Sequence, residues 1–417
     1  MPYGKLFHHK LQQGFSPAGP SSFLPGNRVT LLHNGETYFP AIEAAFDRAQ
    51  YEIYLETYIY ENDATGRRIA AALRRAALRG VNVYLLIDGY GSKDLPQSML
   101  DYLRADGVKV LIFRPKISPW TFRRTRLRRM HRKTVVVDRE IAFVGGINII
   151  DDRKAKGGLP PRFDYALAIE GPLVEVIRLS ARNLWSMVAW NRFREGTGHN
   201  ASPPVSIFTG GKMDAAFLVR DNFRHRRDIE KAYMQAIEQA QSEIILAHAY
   251  FLPGLDFRHA LIDAAARDVR VILLLQGKVD HFIQHHASWA LYGNLLDAGI
   301  EIYEYDKGYL HAKIGVIDRQ WATVGSSNID PFSLLLSREA NVVVVDEAFG
   351  ATLAQSLKLT IETDGRRIER DNWKHQPVYY RFMSWLCYGF LRFMMSISGY
   401  SAENSHTRKK SVVTPEE

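Results

Sequence analysis

MHRKTVVVDREIAFVGGINIID (130–151) and LHAKIGVIDRQWATVGSSNIDP (310–331) carry one pattern twice. His131 and His311 lie 180 residues apart, and the same spacing separates Lys133 from Lys313, Asp138 from Asp318, Gly145 from Gly325 and Asn148 from Asn328. The upstream segments match as well. AQYEIYLETYIY (49–60) pairs with AQSEIILAHAYF (240–251), and RGVNVYLLIDG (79–89) with RDVRVILLLQG (267–277). An internal repeat of this length makes the 417-residue chain a duplication. The turn-forming stretch GTGHNASPPVSIFTGGK (196–212) reads as the linker. The resulting division is a tail (1–27), a first half (28–200), a second half (201–370) and an aromatic C-terminal segment with its tail (371–417).

Each half reads as α/β. VYLLI (83–87) and VILLL (271–275) are continuous apolar runs, the mark of strands buried on both faces. In GRRIAAALRRAALRG (66–80), Ile69, Leu73 and Ala77 recur at helical spacing with arginines opposite. TVVV (134–137) and IGVI (314–317) are short strands that follow each His-x-Lys, turn at Asp-Arg, and return as AFVGG and ATVGS. Side chains two apart on extended chain share a face, so imidazole and ammonium stand side by side. The fold expected is a pseudo-twofold α/β protein, with two sheets flanked by helices and one site where the halves meet.

A His beside a Lys, twice over, suits a phosphodiester. Its anionic oxygens repel nucleophiles, and Lys133, Lys313, Asn148 and Asn328 can neutralise or hydrogen-bond them. One neutral imidazole can attack phosphorus while the other, protonated, gives its proton to the leaving alkoxide. Gly145, Gly146 and Gly325 would let backbone amides come close to the phosphate, and Ser326 and Ser327 would add hydroxyl donors. Asp138 and Asp318 follow across a turn, where Asp commonly bonds locally, and are placed both as turn residues and as candidate catalytic groups.

These paired motifs resemble the signature of the phospholipase D superfamily, over about residues 28 to 365. NGETYFPAIEAAFDRAQYEIYLETYIYENDATG and the RRMHRK lead-in are similar, within that superfamily, to bacterial cardiolipin synthases. The resemblance implies a histidine nucleophile and a histidine acid, phosphate bound by both Lys and both Asn, and no metal or other cofactor. It implies transfer of a phosphatidyl group from one phosphatidylglycerol to another, releasing glycerol. It also implies that acidic residues downstream of each motif, here Asp164 and Glu339, orient the histidines. His131 is taken as the nucleophile, with Asp164 steadying its ring, and Arg132 is taken to hold the donor phosphate. A hydrolytic phospholipase D and a nuclease of the same superfamily use the same residues and stay open.

A charge balance of +9 points to an anionic partner, and the single cysteine, Cys387, excludes internal disulfides. FRPKISPWTFRRTRLRRMHRK (113–133) has nine basic residues and no acid, and only the first half has it. It is expected to bind anionic phospholipid through Arg123, Arg124, Arg126, Arg128 and Arg129 rather than nucleic acid. VYYRFMSWLCYGFLRFMMSISGY (378–400) reads as an interfacial helix rather than a membrane span. The N-terminus lacks the apolar core of a signal peptide, which places the protein peripherally on the cytoplasmic face of the inner membrane. The oligomeric state is left open, a homo-oligomer included. His281, His285 and His286 have no third ligand in a metal-binding pattern and are assigned to the cleft mouth.

Overall fold

The two copies of the repeat fold with one strand order. A computed structural model describes residues 22–115, 128–152, 159–190, 208, 210–221, 225–279, 282–330, 337–374 and 377–397. The first half contributes β1 (Leu24–His33), α1 (Asn34–Arg48), β2 (Glu52–Thr57), α2 (Ala64–Leu78), β3 (Asn82–Asp88), α3 (Gln97–Ala105), β4 (Lys109–Phe113), the two-residue β5 (Arg129–Met130), β6 (Thr134–Val137), β7 (Ile141–Gly145), β8 (Tyr165–Glu170) and α4 (Leu173–Trp190). The second contributes β9 (Met213–Arg220), α5 (Asp228–Gln239), β10 (Glu243–His248), α6 (Leu255–Ala266), β11 (Arg270–Gln276), α7 (Phe282–Asp297), β12 (Glu301–Tyr305), β13 (Lys313–Ile317), β14 (Trp321–Gly325), β15 (Ser337–Val345) and α8 (Glu347–Asp364). β16 (Gly365–Arg367), α9 (Arg370–Lys374) and α10 (Val378–Ile397) follow.

In sheet order, β4-β3-β2-β6-β7-β8-β1 is matched strand for strand by β12-β11-β10-β13-β14-β15-β9. The two half-sheets meet edge to edge where β1 pairs with β9, at Leu24–Ala215 and Asn27–Met213. β2, β3 and β4 run parallel, as do β10, β11 and β12, while the motif strands β6 and β13 run antiparallel to β2 and β10.

The continuous apolar runs are explained by burial on both faces. Along β3, Val83, Leu85 and Ile87 face an outer core with α1, α2 and α3, whereas Tyr84 and Leu86 face a central core. Along β11, Val271, Leu273 and Leu275 face α5, α6 and α7, whereas Ile272 and Leu274 join the central core. That central core draws on both half-sheets and on α4 and α8, so the halves share one interior.

Asp138 and Asp318 close the β6–β7 and β13–β14 hairpins at positive φ, 53° and 52°. Each carboxylate accepts the backbone amides that open the neighbouring strand. Asp138 takes Gln50, Tyr51 and Glu52 at 2.8–2.9 Å, and Asp318 takes Gln241, Ser242 and Glu243 at 2.8–2.9 Å. This corrects the candidate catalytic placement of both residues. They sit at the far end of β6 and β13 from Lys133 and Lys313, roughly 15 Å away by strand rise. Replacing Asp138 with Ala is therefore expected to cost about 3 kcal/mol of stability in a melting experiment, since three backbone amides lose a charged acceptor that is itself buried. The folded fraction should keep its turnover within a few-fold; a hundredfold loss at unchanged stability would restore a chemical role.

Candidate active site

The site lies past the C-terminal ends of β2, β3, β10 and β11, the usual ligand position in such sheets. Two short parallel contacts between the halves build it. β5 runs beside the start of β15, with Arg129 opposite Ser337 and Met130 opposite Arg338, and the His131 amide donates to the Arg338 carbonyl at 2.9 Å. On the other side Phe163 bridges Leu310, and the His311 amide donates to the Phe163 carbonyl at 2.8 Å. Each histidine thus arrives next to the residue before a carboxylate of the opposite half.

His131 Nδ1 lies 3.1 Å from Glu339 Oε2, and His311 Nδ1 lies 2.6 Å from Asp164 Oδ2. The expected partnership of Asp164 with His131 is therefore corrected: the carboxylates are exchanged between the halves. With Nδ1 engaged as a donor, each ring presents Nε2 as its basic atom. The histidine side chains keep 16% and 21% of their exposure, against 0% and 6% for Glu339 and Asp164, so a ligand can reach the rings but not their partners.

Lys133 donates to the carbonyl of His131 at 2.7 Å, and Lys313 donates to that of His311. Burial lowers Lys133 to about 7 and Lys313 to about 8, with Glu339 and Asp164 pulling both part of the way back. Burial also pushes Asp164 up to about 7, although Lys313 and the Tyr165 amide oppose it, and holds His311 well below its ordinary value. Asp164 therefore gains or loses its proton near neutrality, beside a His311 ring whose charged form burial disfavours. Burial lowers His131 too, which keeps that ring neutral.

The small residues serve the carboxylates rather than the phosphate. The Gly145 and Gly146 amides donate to Lys133 and Tyr165 carbonyls at 3.3 and 3.0 Å, and a Cβ on Gly146 would collide with the Asp164 carboxylate. At the equivalent position Ser326 is fully buried and its hydroxyl donates to Glu339 Oε2 at 2.5 Å. This corrects the assignment of Gly145 and Ser326 to substrate. Asn148 gives its carbonyl oxygen to the Ile59 amide at 3.1 Å, leaving only its NH2 for a ligand, while the buried Asn328 carbonyl has no partner.

Arg132 is buried against Glu56 at 3.0 Å and bonds Ser180 at 3.1 Å, which corrects its assignment to the donor phosphate. Arg123, Arg124 and Arg126 lie outside the described residues, as does His281; Arg128 and Arg129 lie partly buried on the approach to His131. Among the described residues no group of His, Cys, Asp or Glu is arranged to hold a metal. Three residues escaped the sequence reading. Tyr58 sets its ring edge-on to His131, 4.7 Å between centroids. Asp88 and Gln276 accept the amides of Met130 at 2.9 Å and Leu310 at 2.6 Å, fixing the residue before each histidine. Their signal was the shared strand-end pattern IDG and LQG (87–89 and 275–277).

Two strand-borne His-x-Lys motifs sharing one cleft across a pseudo-twofold define a phospholipase D-like protein. The family described as "Cardiolipin synthase, PLD-like domain" matches residues 42–156 and 233–361. Cardiolipin synthase B of Shigella flexneri is 38% identical over 398 residues, 94% of each chain. That of Escherichia coli K12 shows the same identity and coverage. A cardiolipin synthase of Geobacillus thermodenitrificans is 34% identical over 81% of this chain and 65% of its own. Phosphatidylserine synthase of Haemophilus influenzae Rd KW20 shares the fold, with a TM-score of 0.63 over 95% of this chain and 99% of its own at 12% identity. The chain belongs to the cardiolipin synthase family of phospholipase D-like proteins.

The lowered lysines make anion binding pH-dependent. A lysine with a depressed pKa is charged below that value and neutral above it, so anion affinity is retained at low pH and lost as pH rises. Affinity for a soluble phosphodiester, measured by calorimetry, is expected to decline from pH 7 and to fall about tenfold per pH unit or more above pH 8. Constant affinity from pH 6.5 to 9.5 would contradict this account of Lys133 and Lys313.

Proposed function

We propose that the protein makes cardiolipin from two molecules of phosphatidylglycerol, through a phosphohistidine on His131. The exchange of carboxylates between the halves carries this reading, because it leaves two oriented Nε2 atoms and two lysines to one phosphate. In the first step His131 Nε2 bonds to phosphorus, the bond from phosphorus to the glycerol oxygen breaks, and protonated His311 gives its proton to that oxygen. In the second step His311 takes the proton from the hydroxyl of the acceptor lipid, the new P–O bond forms, and the P–N bond to His131 breaks. Lys133, Lys313 and the amide groups of Asn148 and Asn328 hold the non-bridging oxygens.

The roles follow from the difference between the two pairs. Burial lowers both rings, and what sets His131 apart is that its partner Glu339 is fixed further by the Ser326 hydroxyl, which suits a nucleophile. Asp164, at about 7, can hold a proton beside His311 near neutral pH, which suits a pair that serves first as acid and then as base. Charge on the phosphate is met by lysines, so activity is expected to survive EDTA.

Membrane contact falls to α10. Cys387 and Leu391 pack with Leu291, Tyr292 and Leu295 of α7, while Tyr379, Phe382, Trp385, Leu386, Phe390 and Phe393 are exposed. Among the described residues no helix is long and apolar enough to cross a membrane. An aromatic face of this kind lies in the interface of an anionic bilayer, here taken as the cytoplasmic leaflet.

Purified protein given phosphatidylglycerol alone is expected to yield cardiolipin and glycerol; phosphatidic acid as the main product would make it a hydrolase. A His311→Ala variant given a donor with a good leaving group should trap label on His131, since the first step then needs no acid, whereas label on His311 in a His131→Ala variant reverses the roles. Replacing Phe382, Trp385 and Phe390 together with Ser should weaken binding to anionic vesicles more than tenfold, at about 1 kcal/mol per aromatic ring. Unchanged vesicle binding removes α10 from the membrane.

A further inference from the structure

Asp88 and Gln276 occupy equivalent places, yet the space around them differs. Each ends a central parallel strand, precedes a glycine, and holds the amide before a motif histidine. In the first half that space is closed. Asp88 Oδ1 also accepts the Tyr90 and Gly91 amides at 2.8 and 3.1 Å. Ser92 ties the same loop to the chain after β2, accepting from the Tyr60 amide at 2.9 Å and donating to the Tyr58 carbonyl at 3.1 Å.

In the second half it stays open. Gln276 spends its carbonyl oxygen on Leu310, and its NH2, on a side chain 4% exposed, has no partner. That side chain lines a cavity of about 10 Å³ with Tyr250, His285 and Ser288, room for one hydroxyl-sized group. The cavity borders the backbone that carries His311, because Gln276 holds Leu310 and the Ala249 amide holds the Ala312 carbonyl at 3.2 Å. Among the described residues no carboxylate, lysine or arginine lines it.

We propose that this cavity is a headgroup subsite that takes one free hydroxyl of an uncharged polyol. The inference rests on the reading of His131 as nucleophile in cardiolipin formation. In-line displacement sends the leaving oxygen out opposite His131, on the His311 side, and the acceptor hydroxyl returns along the same line. One subsite therefore serves both the departing glycerol and the glycerol headgroup of the acceptor lipid. An amide and hydroxyls suit a polyol hydroxyl, whereas an ammonium headgroup would find no counter-charge there. An acceptor without the second hydroxyl leaves the buried Gln276 NH2 unpaired, which is the strong form of discrimination.

The test is acceptor competition. The full-length protein is given phosphatidylglycerol with isotope-labelled glycerol and ethanol in equal amounts, and labelled phosphatidylglycerol is compared with phosphatidylethanol. The unaltered protein should favour glycerol at least tenfold. Ser288→Leu, which fills the cavity, should bring the ratio near parity, and Tyr250→Phe, which removes a hydroxyl without changing volume, should lower it several-fold. An unchanged ratio in both variants overturns the proposal. Cardiolipin formation by the unaltered protein is the control: its absence sinks the functional reading rather than the subsite.

Discussion

Each motif histidine depends on a carboxylate from the other half of the chain. His131 reaches Glu339 and His311 reaches Asp164, and the register is set by a two-residue parallel pairing in the first case and a single parallel bridge in the second. Neither half can orient its own ring. The shared central core and the β1–β9 seam follow from that demand, because a hydrogen bond of 2.6–3.1 Å across an interface requires the interface not to slide. The site is rigid because its two halves are one interior.

Two lysines, two histidines and two carboxylates in one desolvated cleft are an expensive arrangement. Burial answers it by drawing the charges down: Lys133 towards about 7, Lys313 towards about 8, Asp164 up to about 7. A phosphodiester brings the negative charge that restores both ammoniums, so favourable electrostatics appear when the ligand arrives and not before. The same desolvation that strains the empty site strengthens its grip on phosphate.

The duplication is near-symmetric in backbone and asymmetric in chemistry. Gly146 faces Asp164 where Ser326 faces Glu339, Asp88 is saturated where Gln276 keeps a free amide, and a basic segment precedes His131 alone. The proposed division of labour, with one histidine attacking and the other moving protons, draws on such differences. The first two are each a change of one side chain on a shared scaffold, and the third is an added segment.

The duplication, the α/β class, the strand positions and the paired motif residues His131, Lys133, His311 and Lys313 were legible in the sequence, while Asp164 and Glu339 came from the resemblance to the family. Periodicity and repetition are local properties of a chain, and the residue types alone name phosphate chemistry. Which carboxylate serves which histidine was not legible, because partners 208 and 147 residues apart are chosen by how the halves dock. The structural role of Asp138 and Asp318 was half visible as a turn signal, but only the tertiary structure put three amides against each carboxylate. Ser326, Arg132 and Gln276 likewise took their roles from what packs against them. Sequence fixes which groups a strand presents and on which face; the partner each meets is decided by the packing of two half-sheets into one.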